Sequence, residues 1–424
     1  MIRLLTPKLG AYAALTAAGL LAAILFARPE AAVLALPFAL LAILGMASVR
    51  EPRLELESRL DRERVLEGEQ AVLAVRFRAA APVRRVELTL HLPAGLAPVE
   101  TGPRSELSLE AGEERIVELR IEARRWGAYD VGSMRVTARD RFGLLLFERA
   151  FVHSLPLRVY PAADRLRTLL APFVTQAHAG NAVSRDRRDG IEFADVREFV
   201  PGDRVRHVNW RVSARRGELH VNQHHLERNA DVVIFIDTFA ELGELTGTTL
   251  DLAIRGAASL AGRYLATRDR VGMIGFGGII RWLRPGMGTI QQYRLIDSLL
   301  DTRVVASYAW KGIDLIPAGT LPPKALLLAL TPLVDERSIS ALLDVRGRGF
   351  DVAVIELDPV PFVAARPDEA GELAHRLWLL QREALRERFR AAGVPIATWN
   401  EQRPLEGALE EVRSSRRHIG RVRA

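Results

Sequence analysis

The densest chemistry in the chain lies between residues 189 and 219, DGIEFADVREFVPGDRVRHVNWRVSARRGEL. Arg197, Arg206 and Arg215 stand there against Glu192, Glu198 and Asp203, fork-shaped donors and carboxylates that can pair bidentately on a half-buried surface. Pro201 and Gly202 set a turn in which Asp203 can bond its own backbone, and Phe193, Phe199 and Trp210 are expected to pack beneath the charges. Such a network supports two readings. It can fix an excursion of the chain onto its domain, or it can present a docking face to a partner. Hydrolysis by the acids of this segment is a third chemistry, but no nucleophile and no metal set accompanies them.

Elsewhere the candidates are sparse. His220, His224 and His225 invite a zinc reading, because neutral imidazoles at i and i+4 of a helix can share a metal. Leu219, Val221 and the approach to DVVIFID make this segment extended, where residues four apart are distant, so these read as surface histidines. The chain has no cysteine, which excludes disulfides, thiol nucleophiles and thiolate metal sites. It also has no G-x-S-x-G elbow and no G-x-x-x-x-G-K-S/T phosphate loop, and the spacing of Gly275, Gly277 and Gly278 fails the dinucleotide pattern.

These residues need elements to position them, and the 424 residues are enough for two to three domains. Beyond Asn229, near-continuous apolar strands alternate with amphipathic helices: DVVIFIDTFA, ending in Asp237, then TTLDLAIRGAASLAGRYLATRD, and so on to VPIATWN and LEGALEEVRSS. That rhythm predicts a doubly wound α/β domain over 231–424, with any ligand at the carboxyl ends of a parallel sheet. Residues 161–230 form the segment that carries the charged motif. Over 51–160 the period is two, in runs such as QAVLAVRFRA, RRVELTLHL and LPLRVYP, which predicts an antiparallel sandwich of immunoglobulin-like type. Trp126, Tyr129 and Phe142 within it read as packing residues.

Residues 1–50 hold two uncharged apolar runs, 9–27 and 31–49, parted by Arg28, Pro29 and Glu30. Each is long enough to span a bilayer as a helix, and together they predict a transmembrane hairpin. Arg3 and Lys8 precede it and Arg50, Arg53, Arg59, Arg62 and Arg64 follow, whereas only Arg28 is in the turn, so both ends are expected in the cytoplasm at the plasma membrane. The net charge of +7 rests almost wholly on arginine, with lysine at Lys8, Lys311 and Lys324. Acids are interleaved throughout, so no nucleic-acid stripe forms. Arg413, Arg416, Arg417, Arg421 and Arg423 make the one basic cluster, read as a fraying tail or an anionic-lipid contact.

Taken in order, Gly190, Glu192, Phe193, Arg197, Glu198, Phe199, Pro201, Gly202, Asp203, Arg206, Asn209, Trp210, Ala214, Arg215, Gly217 and Leu219 form a pattern that resembles the central motif of the domain of unknown function 58 family. The resemblance implies a membrane hairpin, a β-rich segment, and an α/β domain similar to von Willebrand factor A domains. It also implies a partner, because members are often encoded beside MoxR-type AAA+ ATPases. Together these point to a membrane-anchored cytoplasmic adaptor, not an enzyme and without a cofactor. The alternatives are the hydrolase above and a metal-dependent binding module. Domains of von Willebrand type often hold magnesium on a D-x-S-x-S loop after the first strand. Here Asp237 is followed by Thr238, Phe239, Ala240 and Glu241, and Pro332 stands where a later aspartate is expected. What the resemblance implies at this point is a degenerate metal site around Asp237 and Thr289, with Asp335 nearby.

Overall fold

The computed structural model describes residues 2–47, 51–99, 105–140, 142–172, 192–201, 203, 205–225, 230–244, 247–304, 316–317 and 319–423. The chain divides into two compact units, Met1–Ala162 and Ala163–Ala424.

The first unit opens with a strand, β1 (Ile2–Leu5), before the helices α1 (Pro7–Leu25) and α2 (Pro29–Ala47). Both helices are long and apolar enough to cross a membrane. Each begins two residues ahead of its apolar run because a proline opens it, at a position where a missing N–H costs nothing. Gly19 lets the two helices close on one another, since a Cβ there would sit 2.6 Å from that of Ala35. Eleven more strands follow: β2 (Leu54–Leu60), β3 (Arg64–Leu66), β4 (Gln70–Ala79), β5 (Val83–Leu90), β6 (Leu96–Pro98), β7 (Ser105–Leu109), β8 (Glu114–Ala123), β9 (Gly127–Asp130), β10 (Ser133–Arg139), β11 (Leu145–Val152) and β12 (Pro156–Tyr160). They form sheets ordered β1-β11-β10-β5-β7, β2-β4-β8-β6 and β3-β12-β9. One core joins all three, with Leu73, Val75 and Phe77 of β4 meeting Val86, Leu88, Met134 and Val136 of the first sheet and Leu157 and Val159 of the third. Strict alternation along β4 puts these side chains on one face.

The base of the helical hairpin is fastened to this sheet. Strand β1 pairs antiparallel with β11, Arg3 opposite Phe147. Thr6 donates to the Gly143 carbonyl at 2.8 Å, Lys8 donates to that of Phe142 at 3.0 Å, and Leu9 packs with Leu144, Leu145 and Phe147.

The second unit begins as an irregular strap, 163–172, clamped by side chains. Glu406 accepts the amides of Arg167 and Thr168, and Tyr264 both accepts from the Leu170 amide and donates to its carbonyl. Then come β13 (Glu192–Glu198), α3 (Trp210–Arg216), β14 (His220–His225), β15 (Asp231–Thr238), α4 (Thr249–Ala266), β16 (Arg270–Gly277), β17 (Arg281–Gly286), α5 (Gly288–Leu300), β18 (Leu326–Thr331), α6 (Glu336–Gly347), β19 (Asp351–Leu357), α7 (Glu369–Ala391), β20 (Ile396–Trp399) and α8 (Leu405–Arg423). Six strands make the sheet β17-β16-β15-β18-β19-β20. Five are parallel. The edge strand β17 runs antiparallel to β16, which corrects the all-parallel expectation; its short WLRP core, closed by Gly286, carries no apolar run. Strand order reverses between β15 and β18, so their carboxyl ends open the crevice where such sheets bind ligands.

Helix α8 corrects the reading of a free basic tail. Arg416 is buried and reaches Asp351 at 2.7 Å and the Ala171 carbonyl at 2.8 Å.

Candidate functional site

Two places bring the singled-out residues together. The first is the excursion between β13 and β14, which pair antiparallel with Arg197 opposite Val221 and Glu198 opposite His220. Asp203 organises its turn. Both of its oxygens accept from Arg197, at 2.7 and 2.9 Å, and one also accepts the Val200 amide at 2.9 Å. The Asp203 side chain is almost wholly buried by this. Asn209 then caps α3 by accepting the Val212 amide at 3.1 Å, while its own amide donates to Asn222 at 2.8 Å. Gly217 ends the helix at φ +75°, a left-handed conformation that favours glycine. Inside, the Ser213 hydroxyl accepts the His220 amide at 2.9 Å, and the buried His220 ring meets the Glu218 carbonyl at 2.8 Å. His220 is therefore a core residue on a strand, a correction to the surface reading.

The other described residues of the expected network sit toward the surface. Arg206 contacts His207 at 3.1 Å on the exposed side of a 3-10 turn, Val205–His207, and Arg215 is exposed. Glu198 is also exposed, and it is its backbone carbonyl that accepts from Arg197. Trp210 is not a floor: it is 64% exposed, and Val200, Val205 and Leu219 are exposed with it. The physical reason is the register of α3, whose short length buries only Ser213 and turns Trp210, Arg211, Ala214 and Arg215 outward. Arg211 and Arg215 have no ion-pair partner among the described residues. Phe199 is half-buried and Pro201 exposed. Glu192 and Phe193 lie on β13 opposite His225 and His224, and Gly190 and Gly202 fall outside the described residues.

The second place is the crevice between β15 and β18. Asp237 is buried and accepts from the Thr331 hydroxyl at 2.7 Å and the Phe239 amide at 3.1 Å. Burial pushes its carboxyl up to about 6, against the pull of these hydrogen bonds. Asp335, close enough to raise it slightly further, is itself held low by Arg337, which forks onto it at 2.8 and 2.9 Å. The Arg337 guanidinium also lies 3.8 Å over the Phe239 ring, and Phe239 stacks edge-on against Phe276. The remote hydroxyl assigned to Thr289 is supplied by Thr331, since Thr289 is exposed in the first turn of α5. Sequence reading passed over Thr331 and the buried Ser338; an apolar strand ending in threonine was the available signal.

This donor set does not fit a hard cation. One carboxylate is partly protonated near neutrality, the other is committed to arginine, and an apolar ring takes a ligand position. Among the described residues no three histidine, aspartate or glutamate side chains gather as a metal group.

Comparison with known proteins bears on the first place more than the second. Residues 195–322, from β13 through α5, match the family described as protein of unknown function DUF58. The uncharacterized protein YeaD of Bacillus subtilis (strain 168) is 24% identical over 238 residues, 53% of this chain and 58% of that protein, so the chain spans little more than half of that relative. Among solved structures, the CARDB domain of the PF1109 protein from Pyrococcus furiosus is 14% identical, with 26% of this chain on 96% of that one at a TM-score of 0.18. The cupredoxin domain of amoB from Nitrosocaldus yellowstonii is 9% identical, with 25% on 86%, also at 0.18. Likenesses this loose carry no functional argument. The segment that contains Asp203, Asn209, Trp210 and Arg215 is thus the part of the chain that is similar to the DUF58 family.

Proposed function

We propose that this protein is a membrane-anchored cytoplasmic adaptor that captures a MoxR-type AAA+ ATPase through the exposed face of α3. The observation that carries the reading is Trp210, 64% exposed beside Arg211 and Arg215, which have no ion-pair partner among the described residues, on an excursion whose interior is already fixed by Asp203 and Asn209. A large exposed aromatic flanked by two arginines is the composition of an interface anchor, and the charge fits an acidic partner surface. In this reading the β-rich unit is an immunoglobulin-like spacer and the six-stranded unit a von Willebrand factor A-like platform, in keeping with its strand order. Pairing of β1 with β11 supports the topology, because it holds the segments before and after the hairpin on one side of the bilayer, and the arginine bias assigns that side to the cytoplasm.

The test is capture of the purified ATPase by the full chain in detergent micelles, with and without ATP. Arg211→Glu combined with Arg215→Glu is expected to weaken capture by at least about tenfold while the melting curve stays in place, since exposed substitutions change stability by under about 0.5 kcal/mol. Unchanged capture by a well-folded double variant would overturn the proposal.

A further inference from the structure

Helix α7 is buried by an unusual face. Phe389 and the guanidinium of Arg382 face inward; Arg382 pairs with Glu356 on β19 and donates to the carbonyls of Leu333 and Pro332 at 2.7 and 2.8 Å. Leu385 packs on the core, but the other leucines are outside. Leu373, Leu377 and Leu380 are 59, 52 and 67% exposed, and Ala384 continues the same line. Spacings of four, three and four residues make this a continuous seam of roughly 16 Å, not scattered exposure.

The charges beside the seam indicate what covers it. Glu369, Arg376, Glu383 and Arg390 follow one another every seven residues and alternate in sign. Glu383 and Arg390 already lie 3.3 Å apart along the helix, which puts the series on one flank. In an antiparallel pairing of two such helices, with Leu377 opposite Leu380 and Leu373 opposite Ala384, flank residues of the same series meet each other. Glu369 then faces the partner's Arg390 and Arg376 faces the partner's Glu383, so all four contacts join opposite charges. A parallel pairing instead puts Glu383 beside Arg388 and leaves Arg376 beside Gln381. Alternation of sign also disfavours an anionic lipid surface, which selects a uniformly basic flank.

We infer that α7 is a self-association surface, and that a second copy of this chain covers it in antiparallel register. A seam of three turns is too small for a tight dimer in dilute solution. Two chains tethered in one membrane by their N-terminal hairpins meet at high effective concentration, where a weak seam suffices. This inference is independent of the α3 docking face.

The chain lacks cysteine, so single cysteines report the register without background. Full-length Arg376→Cys and Glu383→Cys proteins, reconstituted together in vesicles and treated with a short bismaleimide, should crosslink to one another, and neither should crosslink when reconstituted alone. Leu377→Glu combined with Leu380→Glu, added to either protein, should abolish the product without moving the melting temperature. Arg376→Glu should weaken concentration-dependent dimerisation in micelles by about tenfold, and adding Glu383→Arg should restore it. Absence of the mixed product, self-crosslinking of either variant alone, or a product that survives the leucine substitutions would each overturn the inference.

Discussion

At the residue scale, the carboxylates that looked interchangeable in the sequence do different work. Asp203 is committed to Arg197, so removing the arginine strips a buried carboxylate of the two bonds that fork onto it. Arg197→Ala is expected to lower stability by about 1–3 kcal/mol, and Arg206→Ala, on the surface, by under about 1 kcal/mol, as read from urea unfolding. Asp237 behaves in the opposite sense. Its carboxyl is raised from 3.8 to about 6, so between those pH values the folded state holds a proton that the unfolded chain has released. The contribution is full below about pH 4 and is lost as pH rises through 6, a fall of about 3 kcal/mol. Asp237→Asn should therefore stabilise the protein at pH 8 and change it little at pH 4. Parallel stability curves for the two proteins would contradict the burial argument. Asp237 was legible as the acid at the end of an apolar strand. Trp210 was not, because an indole reads as core in any sequence, and only the register of the short helix α3 decides that it faces solvent.

At the element scale, α7 marks the limit of pattern reading. Its helical period was plain, yet a moment-based assignment would turn Leu373, Leu377 and Leu380 inward, and the fold buries Arg382 and Phe389 instead. What decides is the fully buried Glu356 on β19, which no local pattern announces. Replacing Arg382 with Ala leaves that buried carboxylate with Arg386 and the Thr398 hydroxyl but without its most buried cation, and a loss of about 3–5 kcal/mol is expected in chemical unfolding. A loss under about 1 kcal/mol would mean the pair is solvated. The long buried strands β15, β18 and β19 were legible from their continuous apolar runs. The short strands β1 and β17 were not, since four to six residues of mixed character acquire strand geometry only from a neighbour already in place.

At the scale of the whole molecule, each unit has its own core and the apolar helical hairpin belongs to the first. That linkage makes topology testable in a cysteine-free chain. Arg62→Cys should resist an impermeant maleimide in intact cells, and Arg28→Cys in the hairpin turn should react; the reverse labelling would put the units on the other side. The layout of hairpin, β-rich unit and α/β unit was legible from composition and period. The clamped strap at 163–172 was hidden, because its order comes from Glu406, Tyr264 and Arg416 far along the chain. The proposed docking is centred on the α3 face. Its most direct test is the Kd of the MoxR-type ATPase for full-length protein and for Trp210→Ala, with thermal unfolding measured on the same samples. Docking through α3 predicts a rise in Kd of at least about tenfold with an unchanged melting temperature, whereas an unchanged Kd in the folded variant would contradict it.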